Sequence, residues 1–454
     1  MYRTFKSINP FDQSIIAEHA LMSEQQLQQA LQLSGHAFES WKKTGFEARN
    51  QLVQHIAAQL RLNKEKFARS ISLEMGKILS ESRIEIEKCA VTCEYYARHG
   101  KEYMKDESIT IDAKKALIAF QPIGAIFGIM PWNFPFWQVI RAAMPTILAG
   151  NVFLLKHAPN VSMCSKEIET LFLEAGFPQG VFQSLIVDID VTEKIISHEI
   201  VQGVTLTGSE FAGSSVAALA GKHIKKSVLE LGGSDPLIVL DDADFESAAK
   251  VALQSRMQNA GQSCIASKRF IVLEKGRDEF VQKLFDGVKK LKQGNQLEET
   301  TTTGPMARVD LSEKLETQQK NSVKNGARIL IGGNRDQANF QPTILTDVQP
   351  GIPAFDEEMF GPVAAIISVK DEADAIRLAN KNRYGLGASI WTRDLERGER
   401  IAREINSGAV FINALVKSDA RYPFGGVKKS GYGRELGKYG MHEFVNAKTI
   451  YIDQ

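Results

Sequence analysis

Apolar residues recur at two different periods along this chain, and the change falls near residue 120. Over the first hundred residues the spacing predicts helices. Ser23 and Gln26 stand at the separation of a capping box, and Leu27, Ala30, Ala37, Phe38 and Trp41 follow at helical intervals. Leu52, Ile56 and Leu60 form a second stripe, and Cys89 and Cys93 lie four apart in a third helical stretch. Beyond residue 120 short apolar runs take over: IGAIFGIM from Ile123, NVFLLK from Asn151, VFQSLIV from Val181 and GVTLTG from Gly203. Helical stretches near 137–149, 162–175, 191–198 and 210–222 separate or follow them, an alternation that predicts βαβ units and a parallel sheet. A second α/β series has helices near 245–259 and 277–291, with strands near 268–274, 327–332, 364–370, 388–392 and 408–413. In such sheets ligands bind where the carboxyl ends of the strands open into loops. The threonine run Thr300–Thr303 before Gly304 and Pro305 reads as a solvated loop.

Length and composition narrow the class. With 454 residues the chain has room for two or three domains of roughly 150 residues each. Lys+Arg number 55 against 54 Asp+Glu, so the net charge of +1 lacks the basic excess of a nucleic-acid or anionic-membrane binder. No stretch approaches the length of an apolar membrane span, and the opening MYRTFKSINPFDQS has no apolar core of a signal peptide. A cytoplasmic globular protein is expected. The four cysteines, Cys89, Cys93, Cys164 and Cys264, are too few for a disulfide framework and too scattered for a structural zinc site. Cys89 and Cys93 have no histidine or second cysteine pair beside them, so core packing is the expectation and no metal site is predicted.

Several clusters could carry chemistry. No GxGxxG or GxxxxGK[ST] fingerprint follows a strand, but Leu206–Gly213 (LTGSEFAG) reads as strand end, glycine turn and helix start, a place suited to a phosphate. Pro131-Trp132-Asn133-Phe134-Pro135 puts an amide between two prolines at a strand's carboxyl end. Glu230-Leu231-Gly232-Gly233 puts a carboxylate beside two glycines, and Gly261-Gln262-Ser263-Cys264 sets a cysteine in a glycine-containing loop, where a thiol is reactive more often than in a helix. Taken singly, each is explained at least as well by turn geometry as by catalysis.

Taken together and in order, these motifs resemble the aldehyde dehydrogenase superfamily along nearly the whole chain. PWNFP at 131–135, Lys156, the Gly208–Gly213 turn, ELGG at 230–233, GQSC at 261–264, EEMFGPV at 357–363 and PFGGVKKSGYGRE at 423–435 carry the resemblance. KHAPN at 156–160 and VKSDARYPFGG at 416–426 are similar to short bacterial succinate-semialdehyde dehydrogenases in particular. The resemblance implies an α/β fold in three parts. A Rossmann-variant NAD(P)-binding domain would take 1–103 and 122–229, and an α/β catalytic domain 230–428. A small oligomerisation β-element would take 104–121 and 429–454, making the protein a homodimer or homotetramer. The dinucleotide lies differently in this family from GxGxxG proteins, which accounts for the missing fingerprint.

The resemblance also implies the chemistry. Cys264 would be the nucleophile, adding as thiolate to an aldehyde. Asn133, with the Cys264 N–H, would bind the oxyanion. Glu230 would activate the water that hydrolyses the thioester, which argues against the acyl-transferring branch of the family. Cofactor contacts would come from Trp132, Lys156, Gly208, Ser209, Gly232, Glu358 and Phe360. Members that prefer NAD+ carry a glutamate three residues after the lysine; here Pro159 removes that carboxylate, so NADP+ is expected to be accepted as well as NAD+. The substrate would be a short ω-oxo acid, succinate semialdehyde before glutarate semialdehyde. Arg141, about two turns into the helix after PWNFP, would grip its carboxylate, with Trp137 facing the same tunnel and Ser418 adding a hydroxyl. A second arginine found in some members is replaced by Gln258. Two other classes remain to be weighed: a hydrolase or acyltransferase built on a Cys–His pair, though the eight histidines show no such signature near Cys264, and a non-catalytic protein on the same fold.

Overall fold

The helical spacing of the first hundred residues becomes four helices, Glu24–Trp41, Phe46–Leu62, Lys64–Met75 and Leu79–Tyr103, in a computed structural model that describes residues 3–453. The ends of the expected domains, Met1, Tyr2 and Gln454, lie outside the described residues. Ser23 caps the first helix as its spacing predicted: its hydroxyl accepts from the Gln26 N–H, and the Gln26 side chain accepts from the Ser23 N–H. Such a cap contributes about 1 kcal/mol. Cys89 and Cys93 are buried in the fourth helix, as the packing reading expected. A hairpin precedes these helices where helices alone were expected, Thr4–Ile8 paired antiparallel with Ile15–Ala20. Its inward residues are Ser7 and His19, bonded to each other and, through Ser7, to the buried Glu74. A polar inner face leaves no apolar alternation to read.

The alternating region folds into a six-stranded sheet with strand order Gly431–Tyr432, Lys226–Glu230, Val201–Thr207, Ala125–Met130, Val152–His157 and Phe182–Ser184. Five of these strands are parallel, and Gly431–Tyr432 joins antiparallel at one edge. From Ala125–Met130 the chain moves outward to one side and then returns to the other. That reversal opens a crevice at the carboxyl ends, between the turns after Met130 and Thr207. The helix Trp137–Leu148 packs beneath the first turn and is buried along its whole length.

The second α/β series forms a seven-stranded sheet ordered Arg328–Ile331, Thr343–Thr346, Val363–Val369, Ser267–Leu273, Asp235–Val239, Gly387–Trp391 and Ala409–Ile412. Only the edge strand Arg328–Ile331 runs antiparallel. Two separate apolar cores cover its faces. Cys264 lies before Ser267–Leu273, at the amino end of its strand, whereas Asn133 follows Ala125–Met130 at the carboxyl end. The candidate residues thus lie at a carboxyl end in the first sheet and at an amino end in the second, and the Asn133 amide reaches the Gln262 carbonyl of the cysteine loop.

A third sheet pairs Val445–Ile452 antiparallel with Lys115–Pro122 over all eight residues, and Glu107–Ser108 joins the other edge. Of the segment 429–454, only this terminal strand enters the small sheet. Gly431 instead pairs with Glu230 in the six-stranded sheet, which brings the 423–435 segment back beside the strand that Glu230 ends.

Candidate active site

The cysteine loop owes its shape to an unusual backbone. Asn259, Ala260 and Gly261 all have positive φ, at 55°, 48° and 73°. Glycine is required at 261, since a Cβ there would lie 2.2 Å from the Gly361 carbonyl oxygen. Two non-glycine residues in the left-handed region cost on the order of 1 kcal/mol each or more, and the surroundings hold them there. The Asn259 N–H donates to Glu81 (2.8 Å), and its side-chain amide donates to the carbonyls of Asn133 (2.8 Å) and Gln262 (3.1 Å). Arg256 donates to the carbonyls of Gly261 and Gly361.

Asn133 completes this clasp. Its Nδ2 donates to the Gln262 carbonyl at 3.0 Å, and its Oδ1 accepts from Gln138 at 3.0 Å. An amide nitrogen carries two hydrogens, so one is left for a ligand two residues from Cys264. The PWNFP turn is itself clamped by His157, whose Nε2–H donates to the Pro135 carbonyl (2.9 Å) while its Nδ1 accepts from the Ala158 N–H (3.0 Å). His157 is buried under the turn, and burial lowers its pKa to about 4.

Cys264 opens onto a cavity of 330 Å³ that also receives Phe134, Trp137, Gln138, Arg141, Gln258 and Ser418. Of the expected residues, Cys264, Trp137, Arg141 and Ser418 therefore share one space. Burial pushes the thiol up to about 11, against the opposing charges of Arg141 and Lys268. Lys268, fully buried, donates to the carbonyls of Ser263 (2.9 Å), Cys264 (2.7 Å) and Ala266 (3.2 Å), and so pins the loop from beneath. Among the described residues, no histidine lines this cavity. A larger cavity of 1060 Å³, between the N-terminal helices and Lys115–Pro122, holds none of the expected site residues.

Arg141 differs from expectation in two respects. It sits four residues into its helix rather than two turns, because the helix begins only at Trp137. Its guanidinium is also committed: Nε meets the Glu435 carboxylate, Nη2 donates to Thr207 Oγ1 (3.1 Å), and the group lies 4.8 Å over the Phe424 ring.

Glu230 ends its strand 2% exposed, with neither carboxylate oxygen bonded among the described residues. Burial and the neighbouring Glu435 raise its pKa well above the usual range, while Arg141 and Arg434 oppose the shift. It does not line the Cys264 cavity; a Cβ at Gly425 would come within 2.7 Å of its Oε1.

A second opening, of 500 Å³, runs between the two large sheets and is lined by Ser209, Glu358 and Phe360. Phe360 meets Trp132 edge to face at 5.8 Å. Glu358 Oε1 accepts from the Gly233 N–H at 2.9 Å, and a Cβ at Gly232 would fall 2.4 Å from Glu358 Oε2, so Gly232 is needed where Glu358 folds over it. A Cβ at Gly208 would meet Leu206 Cδ2 at 3.4 Å and Ala212 Cβ at 4.0 Å, ordinary contacts, so the turn before the helix Glu210–Lys222 is uncrowded. Lys156 is buried at the end of Val152–His157, its pKa lowered by burial and partly restored by Asp188 and Asp190. Both aspartates are bonded to Arg3.

The aldehyde dehydrogenase family model matches residues 1–450. The chain belongs to the aldehyde dehydrogenase family. Among its relatives, a Synechocystis protein named probable succinate-semialdehyde dehydrogenase (NADP+) is 46% identical over 98% of this chain and 99% of its own length. The succinate semialdehyde dehydrogenase (NAD(P)+) of Escherichia coli is 44% identical over 99% of this chain and 98% of its own. A crystal structure of succinic semialdehyde dehydrogenase from Streptococcus pyogenes, in complex with NADP+, superimposes with a TM-score of 0.97 at 36% identity, covering 99% of this chain and all of that one. The α/β architecture described above is thus the aldehyde dehydrogenase fold.

Sequence reasoning missed the contribution of the helix Leu79–Tyr103. Glu81, Glu85 and Lys88 line the cavity from that helix, at spacings that put them on one face. Glu85 accepts from the N–H groups of Phe136 (2.9 Å) and Trp137 (3.0 Å) and pairs with Lys77, so it holds the start of the arginine-bearing helix. The signal was a stripe of charges at helical spacing, which ordinarily marks a solvated face. Glu435, the partner of Arg141, lies in a motif the resemblance had used without giving it a role.

Proposed function

We propose that this aldehyde dehydrogenase oxidises succinate semialdehyde to succinate with NADP+, and with NAD+ as well, through a thioester on Cys264. The observation that carries the reading is the single cavity that has the Cys264 thiol together with Arg141, Lys88 and Ser418. It suits a short aldehyde with a carboxylate at its far end.

The groove residues fit a nicotinamide dinucleotide. The free N–H groups at the start of Glu210–Lys222, the uncrowded turn at Gly208 and the Lys156 ammonium suit its phosphates and ribose. Trp132, Glu358 and Phe360 would flank its other end, beside Gly232. When bound, the dinucleotide supplies the acceptor for the aldehyde's hydride. Pro159 leaves Lys156 without a neighbouring carboxylate at that position, and Arg3 occupies Asp188 and Asp190, so a 2′-phosphate meets little repulsion.

The Cys264 thiolate adds to the aldehyde carbon, and the free Nδ2 hydrogen of Asn133 with the Cys264 N–H receives the developing oxyanion. Because Asn133 is already held by Gln262 and Gln138, its donor is pre-oriented, which is where such groups gain their effect. Glu230 then takes a proton from the water that attacks the thioester. In the position seen it is buried and favours its protonated form, so it must turn from Gly425 toward Cys264 and lose its proton before it acts. Glutarate semialdehyde, one methylene longer, would be the second substrate. The exposed edge at Ile450, Tyr451 and Ile452 supports a homo-oligomer joined through the small sheet. The test is NAD(P)H formation across an aldehyde panel with both cofactors; a preference for uncharged aldehydes would refute the substrate reading.

A further inference from the structure

We propose that Lys88 is a second anchor for the substrate carboxylate, acting with Arg141 and setting the enzyme's preference for an acid-bearing aldehyde. The inference rests on the succinate-semialdehyde reading and deepens it.

Lys88 lies one turn beyond Glu85 on the helix Leu79–Tyr103 and lines the Cys264 cavity. Its ammonium donates to Ser418 Oγ at 2.8 Å and stands 3.9 Å from the centroid of the Trp137 ring. An ammonium carries three N–H groups. One is used by Ser418 and one faces the ring, which leaves a third for a ligand. No carboxylate among the described residues pairs with it. Those nearest electrostatically, Glu85 and Asp419, are bonded to Lys77 and Arg421. Arg141, by contrast, already meets Glu435. Three cations line the cavity: Lys417 is exposed, Arg141 is paired with Glu435, and Lys88 is the half-buried one that no carboxylate among the described residues neutralises.

The geometry also gives Ser418 a direction. Because its oxygen accepts from Lys88, its own O–H is free to donate elsewhere. A carboxylate at this end would thus receive N–H groups from Lys88 and Arg141 and the O–H of Ser418. Two cations sharing a half-buried space raise each other's cost, and an anion relieves both. Gln258, the neutral residue on the same wall, cannot supply that charge.

A pH signature follows. Burial, with Arg141 on the neighbouring helix, lowers the Lys88 ammonium to about 8, while Cys89, Glu85 and Asp419 oppose the shift. The charged form is complete below that value and is lost above it, so acid recognition should weaken as pH rises through about 8.

The experiment measures kcat/KM for succinate semialdehyde and for butanal with the whole enzyme and NADP+, from pH about 7 to about 9.5, in the wild type, Lys88→Met and Lys88→Arg. The ratio of the two cancels the titration of Cys264 and Glu230, which serve both aldehydes. The wild-type ratio should fall above pH about 8, Lys88→Arg should keep a high ratio throughout, and Lys88→Met should lower it about tenfold or more at pH about 7, chiefly through KM. A wild-type ratio flat with pH, or an undiminished ratio in Lys88→Met, overturns the inference while leaving the substrate reading intact. A wild-type enzyme without preference for succinate semialdehyde overturns both. If Lys88→Met fails to fold, the wild-type and Lys88→Arg profiles still decide.

Discussion

Replacing Arg141 with methionine keeps much of the side chain's length over Phe424 and removes a buried charge. Glu435 is then left with Thr205 Oγ1, at 3.2 Å, as its hydrogen-bond donor. Removing one partner of a buried ion pair costs about 3–5 kcal/mol, so thermal stability should fall clearly. The same charge opposes the upward shifts of Cys264 and Glu230, and its loss should slow turnover of every aldehyde. On top of that shared loss, a carboxylate-bearing substrate forfeits a charge-assisted hydrogen bond of about 1.5–3 kcal/mol, which is about tenfold to 150-fold in the ratio of kcat/KM for succinate semialdehyde to that for butanal. Adding Glu435→Gln removes the stranded carboxylate. The double variant should regain thermal stability but not the substrate ratio. The assay is NADPH formation with both aldehydes, alongside thermal unfolding of each variant. A ratio unchanged in Arg141→Met would make Arg141 a strut for Glu435 and remove it from substrate recognition.

Three further outcomes are expected. Asn133→Ala should lower kcat by about 10²–10³-fold, since it removes the oxyanion donor and loosens the Gln262 carbonyl; stopped-flow measurement of the first turnover checks that the loss lies before deacylation. Alkylation of Cys264 by iodoacetamide in the cofactor-free enzyme should speed up about tenfold per pH unit toward a plateau near 11, and Lys268→Met should move the plateau higher; a plateau near the ordinary thiol value of 9.0 would contradict the buried setting. His157 is neutral when folded down to about 4, whereas the unfolded chain takes up a proton near 6.5, so its contribution is complete above 6.5 and lost as pH falls toward 4. That loss is worth about 3 kcal/mol, and His157→Gln should flatten this part of the profile of thermal midpoint against pH.

What the sequence disclosed follows from how local each feature is. The capping box at Ser23 and the strand–helix alternation after residue 120 depend on neighbours within a few positions, and both are found where the pattern puts them. The hairpin at Thr4–Ala20 escaped because Ser7 and His19, not apolar residues, face inward against Glu74. Gly261 was visible as a turn residue, but the positive φ of Asn259 and Ala260 was not, since their support comes from Glu81 and Asn133, more than a hundred residues away. The commitment of Arg141 to Glu435 is a pairing of the same long-range kind. Lys88 reads in sequence as one more charge on an exposed stripe. It becomes part of the cavity only because Trp137 and Ser418 are brought against it.

The most direct test of the account is to trap the acyl-enzyme. Glu230→Gln should still add Cys264 to succinate semialdehyde and release its hydride, but should hydrolyse the thioester slowly. Mixed with NADP+ and succinate semialdehyde, it should give one burst of NADPH per active site, and mass spectrometry should find a succinyl group on the peptide that carries Cys264. Sustained wild-type turnover in this variant, or a burst that survives in Cys264→Ala, would contradict the assignment of the two residues and the covalent route between them.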